Sequence, residues 1–305
     1  MLMITFLAGG SETCKLIRGM RSFAQDTDLA VVAGTADGMW VSGNYALPAL
    51  DAMLFLFSGV LNTHAWSGIR GDSYTTSRFL HTMGRDEPVA VGDRERAVQI
   101  ARSDLLATGM SLTAATEVLA GSFGIVSTIL PMSDDEVHLA IQCDGEWMHV
   151  LEFERLRPPV SALQRVVPVF ERRPTVSAKV VACLEESEAV IIGPENPFTR
   201  VLPFLCCEGM REALKDRFVI AVSPFTPRGP RRDELEAMLR NEGLSPDTSG
   251  VHRLYEDMVD VFVQDIADPV EVGGAMRLNC SLSSKGRAES LAWDLMAVIR
   301  RHSGA

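Results

Sequence analysis

Residues 3–17, MITFLAGGSETCKLI, carry the strongest indication of fold class in this chain. The apolar run Met3–Ala8 is typical of a buried strand, and a helical pattern over Glu12–Phe23 follows Gly9-Gly10 almost at once. The next apolar run, Leu29–Ala33, predicts a second strand. A strand, a glycine turn, a helix and a strand in this order form a βαβ unit, which favours a parallel sheet.

Strand and helix patterns alternate along most of the remaining sequence. Leu47–Leu61 is predicted to be helical, as are Ser177–Glu186 and Arg232–Glu242. The segments AVIIG and FVIAVSP are predicted strands, and VDVFVQD is predicted to be the last one. We therefore expect an α/β fold, with a Rossmann-like, open, mostly parallel sheet and flanking helices.

The pattern of the sequence changes from about Thr128. Alternating segments flank Asp144-Gly145, which predicts a hairpin, and proline-containing breaks follow it. We predict a Rossmann-like part over 1–129, an inserted strand-rich segment over 130–174, and a continuation of the α/β core with a C-terminal helix over 175–305.

Composition excludes several classes of protein. The chain has 305 residues and is 47% hydrophobic, which is ample for a packed core. Its net charge of −11 argues against general binding to nucleic acid or to an anionic membrane. The six cysteines include no CxxC pair, and the apolar start lacks the basic region of a signal peptide. We expect a soluble, cytoplasmic protein without nucleic-acid or membrane partners.

Four predicted strands end in polar or glycine- and proline-rich loops: FLAGGS, VVAGTAD, VIIGPEN and IAVSPF. In an open parallel sheet, the loops at the carboxyl ends of the strands line the ligand crevice. We therefore expect a ligand site where these four loops converge.

The segment GGSETCK, residues 9–15, supports two interpretations. It matches neither GxGxxG nor GxxxxGK[ST]. A phosphate could still be held there by the backbone at the glycines, by the first amides of the helix and by Lys15. The alternative is a simple turn between a strand and a helix, with Lys15 in solvent.

Acidic residues at two places are similarly open to interpretation. Asp51, near the start of an apolar helical pattern, is either a helix-terminal acid or a site carboxylate. Asp134 and Asp135 follow the strand-like ILPM, and adjacent carboxylates suit Mg²⁺. Their alternative is an N-cap followed by an acidic first turn, which Ser133 also fits.

Taken together, blocks spread along the chain resemble the 2-phospho-L-lactate transferase family, which makes coenzyme F420. They include the GG…KL start, TAD with Trp40, PALD, GDRE, LPMSDD, IGPENPFT and VSP, and run from Ile4 to about Asp268. Ile129–Asp135 and Ile192–Thr199 are the most specific pieces.

The resemblance implies a Mg²⁺-dependent transfer reaction. A 2-phospholactyl group moves from a guanosine diphosphate-linked donor to the terminal ribityl hydroxyl of the deazaflavin Fo, and GMP leaves. Some relatives use a phosphoenolpyruvyl donor instead. Relatives also suggest a homodimer.

The resemblance also assigns roles to individual residues. Asp51 falls on the second acid of a PDLDT motif and is expected to orient the acceptor hydroxyl. Asp134 and Asp135 fall on the SDD motif and are expected to contact the donor or the metal. The other expected substrate-binding residues are Gly9, Gly10, Ser11 and Lys15 of the phosphate loop, Asp37 and Trp40 of the TAD stretch, Asp93 and Arg94 of the GDRD segment, and Asn196 and Thr199 of the PSNP loop.

Several ligand-loop positions depart from the family pattern. Glu12 stands where the phosphate loop usually has glycine, and an acid there repels a phosphate unless its side chain turns away. Glu195 and Arg200 stand where PSNPITS has serines. Other departures are Gly34, Gly38, Ala49 and Ala90.

Three hypotheses follow. The first is a working transferase with rearranged contacts. The second is a diverged binding or regulatory protein on the same scaffold. The third is the related gluconeogenesis-factor family, which shares the glycine-turn start; Asp51 and the SDD and GPxNP blocks favour the transferase family over it.

Overall fold

The computed structural model describes residues 3–226, 229 and 231–304. The strands are β1 Ile4–Ala8, β2 Leu29–Ala33, β3 Met39–Val41, β4 Asn44–Ala46, β5 Thr128–Pro131, β6 His138–Cys143, β7 Glu146–His149, β8 Leu163–Val169, β9 Ala189–Ile192, β10 Val219–Val222, β11 Val261–Asp265 and β12 Met276–Leu278. The α-helices are α1 Ser11–Met20, α2 Pro48–Phe57, α3 Thr75–Thr82, α4 Asp93–Ala107, α5 Leu112–Ser122, α6 Val150–Leu156, α7 Ala178–Glu185, α8 Leu202–Cys206, α9 Met210–Leu214, α10 Arg232–Asn241, α11 Thr248–Tyr255 and α12 Lys285–Ser303.

The centre of the molecule is a seven-stranded sheet in the order β12-β11-β10-β9-β1-β2-β5. Every pairing within it is parallel. The strand order therefore reverses at β1, which pairs with β2 on one side and with β9 on the other. This confirms the expected Rossmann-like α/β fold and places a topological switch point, where such sheets bind ligands, at the glycine turn after β1.

Two apolar clusters cover the two faces of the sheet. Ile4 and Phe6 belong to the first cluster, with residues of α1, α2 and α12. Leu7 belongs to the second cluster, which contains residues of the insertion and of helices α7 to α11. Because both faces are covered, β1 is buried along its whole length, as an apolar run without alternation predicts.

The insertion contains its own three-stranded antiparallel sheet, in the order β7-β6-β8. Strands β6 and β7 are joined through Asp144 and Gly145, with φ values of 49° and 85°. The predicted hairpin is thus confirmed, and its turn uses the left-handed backbone that Asp-Gly favours. The boundary that the sequence predicts at residue 129 falls inside β5, an edge strand of the main sheet.

Some local features differ from expectation or are new. Helix α2 ends at Phe57 rather than Leu61, because the chain turns at Gly59 with φ of 76°. The last strand of the sheet is β12, which follows VDVFVQD and extends the edge beside β11. The β3–β4 hairpin and helix α3 have no predicted counterpart; α3 buries none of its residues, so no apolar stripe marked it.

No helix in the described part of the chain combines the length and the apolar character that a membrane span requires.

Candidate active site

A cavity of about 480 Å³ opens at the carboxyl ends of the central strands. The expected loops converge there: its lining includes Gly9–Glu12 after β1, Asp37 after β2, residues 194–196 after β9 and Pro224 after β10. The opposite walls come from the start of α2, from α6 of the insertion and from α10. The site is therefore formed jointly by the sheet and the insertion.

The glycine turn is tight because another loop lies directly against it. A Cβ atom added to Gly9 would lie 2.3 Å from the carbonyl oxygen of Arg200, and one added to Gly10 would lie 2.8 Å from Oε2 of Glu195. A side chain at position 9 would require the Arg200 backbone to move, and one at position 10 would displace the Glu195 carboxylate. Gly9, Gly10 and Ser11 all line the cavity, at the N-terminus of α1.

Glu12 and Lys15 neutralise each other beside the cavity. Their carboxylate and ammonium form an i,i+3 ion pair, and the side chains are only 13% and 20% exposed. Glu12 still borders the cavity, whereas Lys15 borders a smaller neighbouring one with Cys280 and Ser281. The Lys15 charge therefore offsets the unexpected acid of the loop and is not free for a ligand at the glycine turn.

Asp37 is a buried carboxylate in the cavity wall, 4% exposed. Its Oδ2 accepts hydrogen bonds from the Ala49 amide at 3.2 Å and from Arg200 Nη1 at 2.9 Å. Its Oδ1 is buried and has no hydrogen-bond partner among the described residues. Burial raises the pKa of Asp37 to about 6, against the lowering effect of Arg200.

Arg200 joins four parts of the site. Besides Asp37, its Nη1 donates to the Gly9 carbonyl oxygen at 3.0 Å, and its Nη2 donates to Glu154 Oε1 of α6 at 2.5 Å. Arg231, in the loop before α10, lies 3.6 Å from the same Glu154 oxygen. This ion network ties the insertion to the glycine turn. Glu154 and Arg231 lie in no recognisable motif, so the sequence did not predict them as site residues. Arg200 was noted only because it stands where the family pattern has a serine.

Asp51 lies behind the cavity wall. Pro48, Ala49 and Ala52 line the cavity, but Asp51 is 1% exposed and pairs with the fully buried guanidinium of Arg102 on α4. Arg102 Nη1 lies 3.2 Å from Asp51 Oδ2 and also donates to the Tyr45 carbonyl at 3.0 Å. In this arrangement the Asp51 carboxylate does not reach the cavity.

The GDRE segment holds two helix starts together. Asp93 accepts from the amides of Thr75 and Thr76 at the start of α3, at 3.0 and 2.9 Å. In return, Asp72 accepts from the Arg94 amide at the start of α4, at 2.9 Å. Reciprocal capping of this kind stabilises both helices. Neither Asp93 nor Arg94 lines the cavity.

Asp134 and Asp135 are also outside the cavity, and the structure gives them capping and bridging contacts. Asp134 Oδ1 accepts from the Thr113 amide at the start of α5, at 2.6 Å. Asp135 accepts from Arg172 at 2.6 Å and from the Thr175 amide at 3.0 Å. The described residues contain no group of three or more His, Cys, Asp or Glu side chains that could hold a metal ion. In this arrangement both carboxylates are engaged by donors of the protein itself.

The remaining predicted residues are divided between the cavity and the surface. Asn196 and Thr199 line the cavity, and Asn196 Oδ1 accepts from the amides of Phe198 and Thr199 at 3.0 and 3.4 Å, at the start of the π-helical segment Pro197–Val201. Trp40 is 52% exposed and stacks on Tyr45 outside the cavity. An aromatic side chain that was not predicted, Trp66, borders the cavity instead.

An open parallel sheet with a cavity at its switch point is the arrangement of an α/β ligand-binding protein. The family model described as 2-phospho-L-lactate transferase CofD matches residues 4–273. The chain is 42% identical over 303 residues to a 2-phospho-L-lactate transferase of Methanocorpusculum labreanum, covering 98% of this chain and 100% of the relative. It is 37% identical over 294 residues to one of Methanospirillum hungatei, covering 96% and 99%. The chain therefore belongs to the 2-phospho-L-lactate transferase family.

Solved structures agree on the fold. Protein BH3568 from Bacillus halodurans, described as a member of the UPF0052 family, superposes with a TM-score of 0.56. The match has 16% sequence identity and covers 88% of this chain and 82% of that protein. At this identity the likeness concerns the fold alone.

Proposed function

We propose that this protein transfers a 2-phospholactyl group from a guanosine diphosphate-linked donor to the terminal ribityl hydroxyl of Fo, with release of GMP, in coenzyme F420 biosynthesis. A phosphoenolpyruvyl donor is the alternative substrate of the same reaction. Family membership over nearly the full chain supports the reaction class. The single structural observation that carries the proposal is Asp37, a buried carboxylate of the cavity wall whose Oδ1 has no hydrogen-bond partner among the described residues.

Asp37 has the properties needed to hold and deprotonate an alcohol. A buried carboxylate oxygen without a hydrogen-bond donor is costly, and a substrate hydroxyl would satisfy it once a small shift of the cavity wall uncovers Oδ1. A pKa near 6 leaves the group ionised at neutral pH and still basic enough to take a proton. The Arg200 guanidinium and the Ala49 amide hold the other oxygen, so the orientation of the carboxylate is set before substrate binds.

The reaction is then a substitution at phosphorus. The acceptor oxygen attacks the phosphorus that carries the lactyl oxygen, and its proton passes to Asp37. The bond from that phosphorus to the bridging oxygen breaks, and GMP leaves with the bonding electrons. Such transfers depend mainly on positioning and on neutralisation of charge.

The donor phosphates are proposed to lie along the glycine turn. Gly9 and Gly10 keep side chains out of this wall, while Ser11 supplies a hydroxyl and a first-turn amide. Arg231 lines the same cavity; its Nε donates to Glu234 Oε1 at 2.8 Å, and its Nη2 has no hydrogen-bond partner among the described residues. Thr199 borders the cavity on the same side as Arg200 and Asp37.

The Mg²⁺ requirement remains a prediction from the resemblance. Because protein donors already engage Asp134 and Asp135, we assign no step of the mechanism to a metal held by them. Mg²⁺ is commonly bound by substrate phosphates together with only one or two carboxylates.

The proposal is tested by incubating purified protein with Mg²⁺, Fo and each guanylylated donor, and detecting F420-0 or its dehydro form by mass spectrometry. Asp37→Asn is expected to reduce the rate by about two to four orders of magnitude, the usual contribution of a positioned acid or base. The control is Asp104→Asn, the same chemical change at an exposed residue of α4. No product from folded wild-type protein with either donor would refute the proposed reaction.

A further inference from the structure

The N-terminus of α1 is occupied by a carboxylate from the chain itself. Glu195 is 7% exposed, and its Oε1 accepts a hydrogen bond from the Thr13 amide at 2.7 Å. Its Oε2 lies against Gly10, where an added Cβ atom would be only 2.8 Å away. Glu195 reaches this place from the loop after β9, which crosses the glycine turn.

This position is one that ligand phosphates use in other α/β proteins. The first amides of a helix have no partner within the helix and carry the positive end of its dipole. A glycine turn followed by a helix N-terminus is therefore a common phosphate site. Here Thr13, the third residue of α1, already donates its amide to an internal anion.

Neighbouring side chains do not fully neutralise the negative charge of Glu195. Glu12 of α1 adds a second acid near the same helix end, although Lys15 pairs with it. Burial raises the pKa of Glu195, and the charge of Arg200, five positions further on, opposes this in part. The Arg200 hydrogen bonds, however, go to Asp37, Glu154 and the Gly9 carbonyl oxygen and not to Glu195. An anion that approaches the start of α1 thus meets a buried carboxylate at close range.

We infer that Glu195 is a specificity-determining residue that competes with ligand phosphate for the first turn of α1 and so weakens the binding of a nucleoside diphosphate. This inference rests on the proposed function, because the proposed donor contains that diphosphate. Glu195 stands where the PSNPITS pattern has serine, and it occupies the Thr13 amide. The donor phosphates are therefore bound by the glycine turn before Thr13 and not by the Thr13 amide.

The test is calorimetric titration with GDP and, in parallel, with uncharged guanosine. Glu195→Gln removes the charge and keeps the shape, and is expected to tighten GDP binding by about tenfold, the scale of one partly screened charge repulsion. Guanosine binding should not change. The control is Glu185→Gln on α7, which makes the same change at an exposed site and should leave both affinities unaltered.

A purely structural cap would give a different result. Unchanged or weaker GDP binding by folded Glu195→Gln would overturn the inference, as would an equal gain for guanosine. If Glu195→Gln does not fold, Glu195→Ser, which restores the serine of the PSNPITS pattern, replaces it, and the same outcomes apply.

The inference and the proposed function fail separately. Product formation by the wild type, without a gain in GDP affinity in the variants, overturns the inference alone. A gain in GDP affinity without product from any donor overturns the proposed transfer and supports Glu195 as the competing anion. In the active enzyme, the gain should appear as a lower KM for the donor with kcat nearly unchanged.

Discussion

Replacement of Asp51 by asparagine tests whether this acid supports the fold or acts on the substrate. Asp51 and Arg102 are 1% and 0% exposed, and their pairing lies inside the protein between α2 and α4. Removal of one partner leaves a buried, uncompensated charge, which costs roughly 3–5 kcal/mol. For a protein of this size we expect a decrease in Tm on the order of 10 °C.

The measurement is urea denaturation and a thermal melt of Asp51→Asn beside Asp104→Asn, whose side chain is exposed on the same helix as Arg102. The control should retain wild-type stability to within about 0.5 kcal/mol. The double variant Asp51→Leu with Arg102→Met replaces the pair by apolar groups of similar volume, and should lose less stability than either single change.

The role predicted from the resemblance leads to the opposite pattern. If the Asp51 carboxylate orients the acceptor hydroxyl, Asp51→Asn should lose activity by orders of magnitude and keep its stability. A stability loss below about 1 kcal/mol, together with such a loss of activity, would refute the reasoning from the buried ion pair. It would mean that Asp51 turns toward the cavity when substrate binds.

Three further predictions concern other parts of the site. Because burial raises the pKa of Asp37 to about 6 and the ionised form is the proposed base, the transfer rate should fall with decreasing pH below about 6; rate–pH profiles of the wild type and Asp37→Asn check this, and an identical acid limb in both would contradict it. Gly9→Ala would place a Cβ atom 2.3 Å from the Arg200 carbonyl oxygen and should cost about 1–3 kcal/mol in chemical denaturation, whereas Gly121→Ala, where an added Cβ meets nothing within 4 Å, should be neutral or stabilising. Asp134→Ala should lose about 1 kcal/mol of stability, since it removes a cap of α5, and should leave the Mg²⁺ concentration dependence of the rate unchanged; a shifted dependence would restore the metal role expected from the SDD motif.

Local sequence was sufficient for the framework of the fold. The apolar run of β1, the two glycines and the helix after them predict a βαβ unit, because a strand buried on both faces has no polar alternation and only glycine fits so close to another loop. The polar loops after four strands predict where a ligand binds, because parallel strands end at one edge of the sheet. The cavity lies at that edge.

Local sequence did not predict which acidic side chains face the cavity. Asp51 and Asp37 both lie in family motifs, yet only Asp37 lines the cavity, because Asp51 turns to an arginine 51 positions away on α4. Likewise, Asp134 has the sequence context of a metal ligand and the contacts of a helix cap. Partners this distant in the chain are brought together only by packing of the helices.

At the glycine turn, the local sequence and the tertiary structure each contribute part of the description. The sequence of the turn alone allows either a phosphate-binding turn or a simple turn between a strand and a helix, and the family resemblance marks Glu12 as unusual there. The three-dimensional arrangement shows that Lys15 neutralises Glu12, and that Glu195 of a loop more than 180 residues away holds the Thr13 amide. The electrostatic energy of a charge in a low-dielectric cavity is dominated by the nearest opposite or like charge in space. That neighbour is set by the crossing of the loops after β1 and β9, and no local pattern of residues encodes it.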